Sequence, residues 1–370
     1  MRSLFITAKF LADGEAPVSG IYKRMALFLD AVSTISDHLE LVTFAPSDVP
    51  LDQNSVDSYR AMYADLVKCP FTLRIVPRLP RNTERTIRDY LTRPWDLYSP
   101  GFHNYYLTAG PRQVDAVRDA LARAPDLVFV HRLAAMAALL RGRMRHPALF
   151  FDLDDVEHRA HVRHILAPPR WRTKYLGLLH TPPVFLAEQM AIAQARRTYV
   201  CSLTDRSYLQ RLFRSRTIEA VPNSVRIPPP SQVTSLLTLL FLGTYAFAPN
   251  QAAADWLIGT IWPLVRAAVP NATLLIAGEF SESLRSHAAQ PDGVEFRGFV
   301  ADLDALYAET RVVVCPILSG SGTRFKIIEA FAYGRPVVST PIGAEGLDVE
   351  DGRNILLCET AERFAAGCIR

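Results

Sequence analysis

The sequence contains no CxxC pair, no run of about 18 apolar residues and very little lysine. Each absence narrows the possible functions. The five cysteines, Cys69, Cys201, Cys315, Cys358 and Cys368, lie far apart, so metal-ligand spacing is missing. A disulfide framework suits short secreted chains rather than one of 370 residues, so these thiols read as buried and cytoplasmic. Without a long apolar run, no transmembrane helix is expected. The N-terminal run Met1-Arg-Ser-Leu-Phe-Ile-Thr-Ala is broken by Lys9 and reads as a first buried strand, not a signal peptide. Internal repeats and low-complexity segments do not stand out. No GxGxxG follows the first strand of either half, which argues against a dehydrogenase.

What is present starts with charge. Of 41 basic residues, 36 are arginine. Residues 231–370 hold 10 basic and 15 acidic residues, and residues 1–230 hold 31 and 22. A basic first half suits an anionic partner, such as a phosphorylated acceptor or a membrane surface. Nucleic acid is not expected, because no recognised binding motif accompanies the charge. A general bias towards arginine is the competing explanation.

A chain of this length exceeds what one core usually serves, so two domains are expected. Apolar runs alternate with amphipathic stretches, the pattern of βα units and parallel sheets. In the first half, strands are expected at Ser3–Ala8, Leu39–Phe44, Thr72–Val76, Leu127–His131, Ala148–Asp152 and Thr198–Ser202. In the second they fall at Thr238–Leu242, Thr273–Ala277, Val294–Arg297, Val312–Cys315, Pro336–Ser339 and Ile355–Leu357. That half is a complete doubly wound pattern. Residues 222–235 include Pro228-Pro229-Pro230, which neither a helix nor a central strand can carry, so the boundary is placed there, giving domains 1–230 and 231–370. Little sequence follows the last strand, so the closing helices of the sheet are expected to be missing.

The segment Pro316-Ile-Leu-Ser-Gly-Ser-Gly-Thr-Arg-Phe-Lys-Ile-Ile-Glu carries the chemistry. Gly320 and Gly322 let backbone approach a ligand closely. Their loop opens onto a helix N-terminus, where free N–H groups favour phosphate. Arg324 adds a fork for phosphate oxygens and Lys326 a point charge. Lys326 is also the one lysine after Lys174. Glu329, one turn into the helix, can accept hydrogen bonds from ribose hydroxyls, or pair with Lys326. The Asp152-Leu-Asp-Asp155 run could hold a divalent cation, but helix capping by Asp154 or Asp155 is the preferred reading and no metal is assigned.

The second half resembles the retaining glycosyltransferases of family 4. The features occur in order: Phe241-Leu-Gly, Ala248-Pro-Asn, Ile276-Ala-Gly, Val294-Glu-Phe-Arg-Gly-Phe-Val, the glycine-rich loop, and Glu329-Ala-Phe-Ala-Tyr-Gly-Arg-Pro. They cover about residues 236–360. The first half resembles the acceptor domain of that family more loosely, through Ser19-Gly20 with Arg24, Val130-His131 and Val221-Pro-Asn-Ser-Val. The resemblance implies the GT-B fold, two Rossmann-like doubly wound α/β domains facing across a cleft.

It also implies roles. Gly243 and Gly278 would let the donor approach, with Gly320, Ser321, Gly322 and Thr323 around it. Phe299 and Val300 would sit by the base. Arg324 and Lys326 would hold the diphosphate, Glu329 the ribose, and Gly20 would contact the diphosphate from the other domain. His131 would lie near the sugar. Arg24 falls on the helix of that match and would line the acceptor side; apart from the resemblance, Asp155, Glu157 and His158 are placed on the same side by the Asp152–Asp155 run. Two positions depart from the family pattern. Ser321 stands where many members have a glutamate facing the sugar, and Thr244-Tyr-Ala-Phe lacks the usual Arg and Lys. These bear on sugar identity and activity more than on nucleotide binding.

The implied activity is retaining, metal-independent transfer of a sugar from a nucleotide-diphosphate donor to a glycan, lipid-linked or small-molecule acceptor, as in polysaccharide biosynthesis. No cofactor is expected beyond the donor. The protein is expected in the cytoplasm, with its basic half available to the inner face of the membrane. A sugar-nucleotide epimerase on the same fold and a non-catalytic scaffold are the alternatives.

Overall fold

The computed structural model describes residues 1–11, 20–80, 105–166, 172–214, 216–229, 234–320 and 322–370. Ser19 and Ser321, singled out above, lie outside them, as do Pro230 and 231–233 of the expected linker. The chain divides into two compact units, Met1–Pro222 and Asn223–Arg370. The division falls at the front of the 222–235 segment, ahead of the boundary placed at 230/231.

The first unit runs β1 (Arg2–Thr7), α1 (Gly20–Thr34), β2 (His38–Ala45), α2 (Gln53–Ala64), β3 (Phe71–Pro77), α3 (Pro111–Ala122), β4 (Leu127–His131), α4 (Leu133–Gly142), β5 (Ala148–Asp154), α5 (Glu157–Leu166), a 3-10 segment Arg172–His180, α6 (Thr181–Gln194), β6 (Arg197–Val200), α7 (Leu203–Leu212) and β7 (Ile218–Ala220). Its seven strands are all parallel, in the order β3-β2-β1-β4-β5-β6-β7. Parallel strands are covered on both faces, which explains why β1 and β4 read as nearly unbroken apolar runs. β5 extends two residues beyond its expected end, so Asp152 and Asp154 are strand residues, separated by a bulge in the pairing with β6.

The second unit runs β8 (Thr238–Leu242), α8 (Ala248–Trp256), a π turn (Leu257–Ile261), α9 (Trp262–Ala268), β9 (Thr273–Ala277), α10 (Arg285–Ala289), β10 (Val294–Gly298), α11 (Leu303–Glu309), β11 (Val312–Cys315), α12 (Phe325–Ala332), β12 (Val337–Ser339), β13 (Leu356–Leu357) and α13 (Ala361–Ile369). Its six parallel strands are ordered β10-β9-β8-β11-β12-β13. One helix, α13, follows the last strand. Thr360 caps it by accepting from the Arg363 amide, and Phe364 is fully buried in the unit's core. Among the described residues, no helix is long and apolar enough to cross a membrane.

In both units the strand order reverses once: between β1 and β4, and between β8 and β11. Ligands of open parallel sheets bind beyond the carboxyl ends of the strands at such a switch point. The candidate residues gather there.

Candidate functional site

In the C-terminal unit, Lys326 projects from the first turn of α12 to the end of β8. Its ammonium lies 4.3 Å from the Phe241 ring centroid and donates to Asn250 Oδ1 at 3.2 Å. Among the described residues it has no ion-pair partner. Burial pulls its pKa down from the usual lysine range to about 8, and neighbouring Arg324 pushes the same way. A desolvated cation without an anion is an unfavourable arrangement that an incoming anion relieves. Asn250 is buried on α8 and holds the ammonium while donating to the Thr244 carbonyl at 2.8 Å. The sequence reading quoted Ala248-Pro-Asn without assigning Asn250 a role, because a side chain two elements away from Lys326 leaves no spacing signal.

Gly243 and Gly278 make this arrangement possible. A Cβ on Gly243 would lie 2.9 Å from Asn250 Nδ2 and 3.1 Å from Lys326 Nζ. A Cβ on Gly278, at φ +123°, would lie 2.0 Å from the Gly243 carbonyl oxygen. The two glycines are therefore needed first by the protein itself, so that the loops after β8 and β9 can close together.

Arg324 is the N-cap residue of α12. Its guanidinium folds back over the glycine-rich loop, donating to the Gly322 carbonyl at 3.0 Å and reaching the Ser319 carbonyl at 3.5 Å. Gly320, at φ +118°, leaves room for it, since a Cβ there would sit 2.8 Å from Arg324 Nη2. Thr323 accepts from Asn223 Nδ2 at 2.8 Å, which ties the loop to the start of the unit. Glu329 is buried on α12. Near it the Tyr307 hydroxyl is buried with no hydrogen-bond partner among the described residues, and burial, helped by the Glu329 carboxylate, raises its pKa well above the usual range. Phe299 and Phe280, both about half exposed, line an open cleft with Glu279, Glu282 and Ser283. Val300 instead packs against the core.

In the N-terminal unit, His131 ends β4 at the switch point beside Thr7 of β1. Thr7 Oγ1 accepts from the Lys9 amide and shares a 3.0 Å hydrogen bond with His131 Nδ1. Among the described residues Nε2 has no hydrogen-bond partner; Asp152 Oδ2 lies 3.8 Å away. Burial, with Arg132, Arg24 and Lys9 nearby, holds the His131 pKa well below its usual value, so the ring is neutral. Gly20 opens α1 and is partly buried.

Arg24, expected on the acceptor side, is instead fully buried. It grips Asp152 through Nε at 3.0 Å and Nη2 at 2.6 Å, and its Nη1 donates to the Val221 carbonyl at 2.8 Å. Its Nε is also 3.1 Å from Asp154 Oδ1. Burial lifts the Asp152 pKa to about 6 against the opposing pull of Arg24, which leaves the pair ionised at neutral pH. Arg132 and Asp154, at the ends of neighbouring strands, both have positive φ, 70° and 64°. For non-glycine residues this is strained backbone, of the kind found at functional sites.

His158, also expected on the acceptor side, is buried on α5. Its Nδ1 bonds Glu188 Oε2 and its Nε2 lies 2.7 Å from the Tyr208 hydroxyl. Glu188 Oε1 also accepts from the amides of Glu157, at 2.6 Å, and His158, at 3.3 Å, so a residue of α6 satisfies the first turn of α5. Nothing in the sequence points to Glu188, because the partners meet only in the fold. Asp155 stays half-buried. With Asp154 and Cys201 it forms a cluster whose ligand atoms lie within 4.8 Å of one another. The cluster fits a metal poorly. The Arg24 guanidinium already lies against Asp154, and burial with nearby carboxylates raises the Cys201 pKa well above its usual range, keeping the thiol protonated.

Residues 237–370 match the family model described as Glycosyl transferases group 1. A Klebsiella pneumoniae protein, described as an uncharacterized 44.6 kDa protein in the cps region, is 27% identical over 135 residues. That match spans 34% of this chain and 35% of the relative, about a third of its length. Among solved structures, Anabaena Alr3699/HepE in complex with UDP-glucose is similar over 100% of this chain and 88% of its own, with 15% identity and a TM-score of 0.64. A TarM variant of S. aureus, crystallised with Fondaparinux, alpha-GlcNAc-glycerol and UDP, is similar over 100% and 92%, with 11% identity and a TM-score of 0.66. At such identities the likeness is one of fold: this chain has the two parallel-sheet, Rossmann-like units of the GT-B glycosyltransferases.

Proposed function

We propose that this protein is a glycosyltransferase that binds a nucleoside-diphosphate sugar on its C-terminal unit. The sugar passes, with retention and without a metal, to an acceptor held by the N-terminal unit. The observation that carries the reading is the half-buried, desolvated ammonium of Lys326, which among the described residues lacks an anionic partner and stands beside a glycine-rich loop at a sheet switch point. A diphosphate is the anion that this geometry suits. The family match to residues 237–370 supports it. UDP is the first nucleotide to test, because the similar Anabaena and S. aureus proteins were crystallised with UDP or UDP-glucose.

In the reaction, the anomeric C–O bond breaks and its electron pair stays on the leaving diphosphate. Lys326 and the amides at the start of α12 meet that growing charge. Arg324 joins them once its guanidinium leaves the loop carbonyls of Gly322 and Ser319. Glu329 holds the ribose, and the Phe280–Phe299 cleft takes the base. His131, neutral and with Nε2 unpartnered among the described residues, orients a sugar hydroxyl rather than acting as a charged acid. As the acceptor oxygen bonds to the anomeric carbon, its proton passes to the leaving diphosphate. The excess of basic residues in 1–230 suits an anionic or lipid-linked acceptor.

The test is calorimetric titration of the chain with UDP, GDP, ADP and CMP, repeated with Lys326→Ala. Binding of one diphosphate that disappears in the variant supports the donor site. A folded wild-type chain that binds none of them removes it.

A further inference from the structure

One residue, Arg132, stands between the end of β4 and the start of α4. Its backbone, at φ 70° and ψ 159°, lies in a region nearly reserved for glycine. The surrounding structure holds it there from both ends. Its amide donates to the Asp152 carbonyl at 2.7 Å, and its carbonyl accepts from the Ala135 and Met136 amides at 3.2 Å. Glycine would take this conformation without the steric cost, yet the chain places an arginine here. That arginine is only 9% exposed.

A buried guanidinium ordinarily has partners for its five N–H groups. Among the described residues Arg132 has none within hydrogen-bond reach. Asp154 Oδ2 lies 4.0 Å from Nη1, and Glu157 Oε1 lies 3.9 Å from Nη2. Neither carboxyl group is placed to close that gap. Asp154 is held by Arg24, whose Nε is 3.1 Å from its other oxygen. Burial and neighbouring Glu188 raise the Glu157 pKa well above the usual range, which disfavours the charge that an ion pair needs. The fork is therefore desolvated but not hydrogen-bonded. It stands next to His131, at the carboxyl end of β4 and the switch point of its sheet.

From this we propose that Arg132 binds a singly charged oxyanion on the acceptor, one that presents two oxygens to the guanidinium: the carboxylate of an acidic sugar or a phosphodiester. The proposal rests on the reading that the N-terminal unit holds the acceptor, and adds the chemistry by which the acceptor is recognised. Local charge explains why a monoanion fits. Arg24 and Arg132 already stand against Asp152 and Asp154, and an Asp155 oxygen lies within 4.8 Å of Asp154. A dianionic phosphate monoester would meet stronger repulsion from these acids. A neutral acceptor would leave the guanidinium desolvated without a counter-charge.

The test titrates the full chain, without nucleotide, with methyl glucuronide, dimethyl phosphate and the neutral methyl glucoside, read by saturation-transfer NMR. The expected result is binding of an anionic probe and not of the glucoside, and the tighter of the two anions identifies the source. Arg132→Lys keeps the charge beside Asp154 but loses the fork, so affinity for that anion should fall at least about tenfold in a folded protein. Arg132→Gly relieves the strained backbone, so it should fold and bind neither anion. The melting response of both variants to UDP should match wild type, because the donor site lies on the other unit. A wild-type chain that binds the anion but no nucleotide removes the donor reading and leaves this one standing. Binding of neither anion by wild type, equal binding of the glucoside, or unchanged affinity in Arg132→Lys overturns the proposal. Loss of folding in both variants overturns it too, since Arg132 would then serve the fold through its ion pairs.

Discussion

Replacing Lys326 by methionine should stabilise the C-terminal unit while removing its affinity for nucleotide. The ammonium is desolvated, its polar partner among the described residues is the neutral Asn250, and its pKa falls from 10.5 to about 8. At about 1.4 kcal/mol per unit, holding the proton in the folded state costs roughly 3 kcal/mol near neutral pH. Methionine has similar length, needs no desolvation and packs on Phe241 through sulfur. The orphaned Asn250 Oδ1 opposes the gain by about 1–2 kcal/mol. A net stabilisation of roughly 1–2 kcal/mol remains, or about 2–8 °C in the melt of a unit of this size. The pH dependence follows from the same numbers. The folded pKa lies below the unfolded one, so between pH 8 and 10.5 the unfolded chain binds more protons, and wild-type stability from this group rises with pH across that window. The variant lacks the rise. A bound diphosphate should push the Lys326 pKa back up, so that binding takes up a proton and weakens above pH 8. Differential scanning fluorimetry across pH, with and without UDP, reads all of this. The reasoning is refuted if the variant melts lower than wild type without nucleotide, or if UDP still raises its melting temperature.

Other expectations use the same structure. Gly278→Ala should cost about 3 kcal/mol or more in urea unfolding, because its Cβ would collide with the Gly243 carbonyl at a positive φ; a loss under 1 kcal/mol would show that the two loops can part. Arg24→Met should cost about 3–5 kcal/mol, since it leaves Asp152 buried without its counter-charge. Glu188→Gln and Glu157→Gln should behave oppositely. The first puts a neutral amide in place of the carboxylate that accepts from two helix amides and meets the His158 ring, at about 2 kcal/mol. The second should cost less, within about 0.5 kcal/mol of wild type, because burial and Glu188 raise the Glu157 pKa well above the usual range and so already penalise its charged form. Comparable losses in the two variants would contradict that assignment of charge.

Much of the fold was legible because parallel strands are buried on both faces and announce themselves as apolar runs. β4, β8, β9 and β11 begin and end where those runs do. β7 escaped notice because it is a three-residue edge strand with Glu219 at its centre. The closing helix α13 was hidden by its length, although Thr360 and Phe364 carry its cap and its core contact. At the candidate site, the glycine-rich loop could be read because its chemistry is local in sequence. Asn250, Glu188 and Tyr208 could not, since each acts on a residue brought to it only by the sheet. Arg24 and His158 were assigned to the acceptor side from their neighbourhood in sequence. Their burial in ion pairs is a property of the packed unit, which sequence spacing does not record.

A last consequence follows from where the lysines are. After Lys174 the chain has a single lysine, so the whole C-terminal unit carries one ε-amine, and it sits at the end of β8. Its lowered pKa makes a fraction of it a free amine at mildly alkaline pH, when ordinary surface lysines remain almost fully protonated. An amine-directed acylating reagent therefore has one address in this unit. The mass of one peptide reports its occupancy, and any molecule that shields Lys326 can be ranked by the label it prevents.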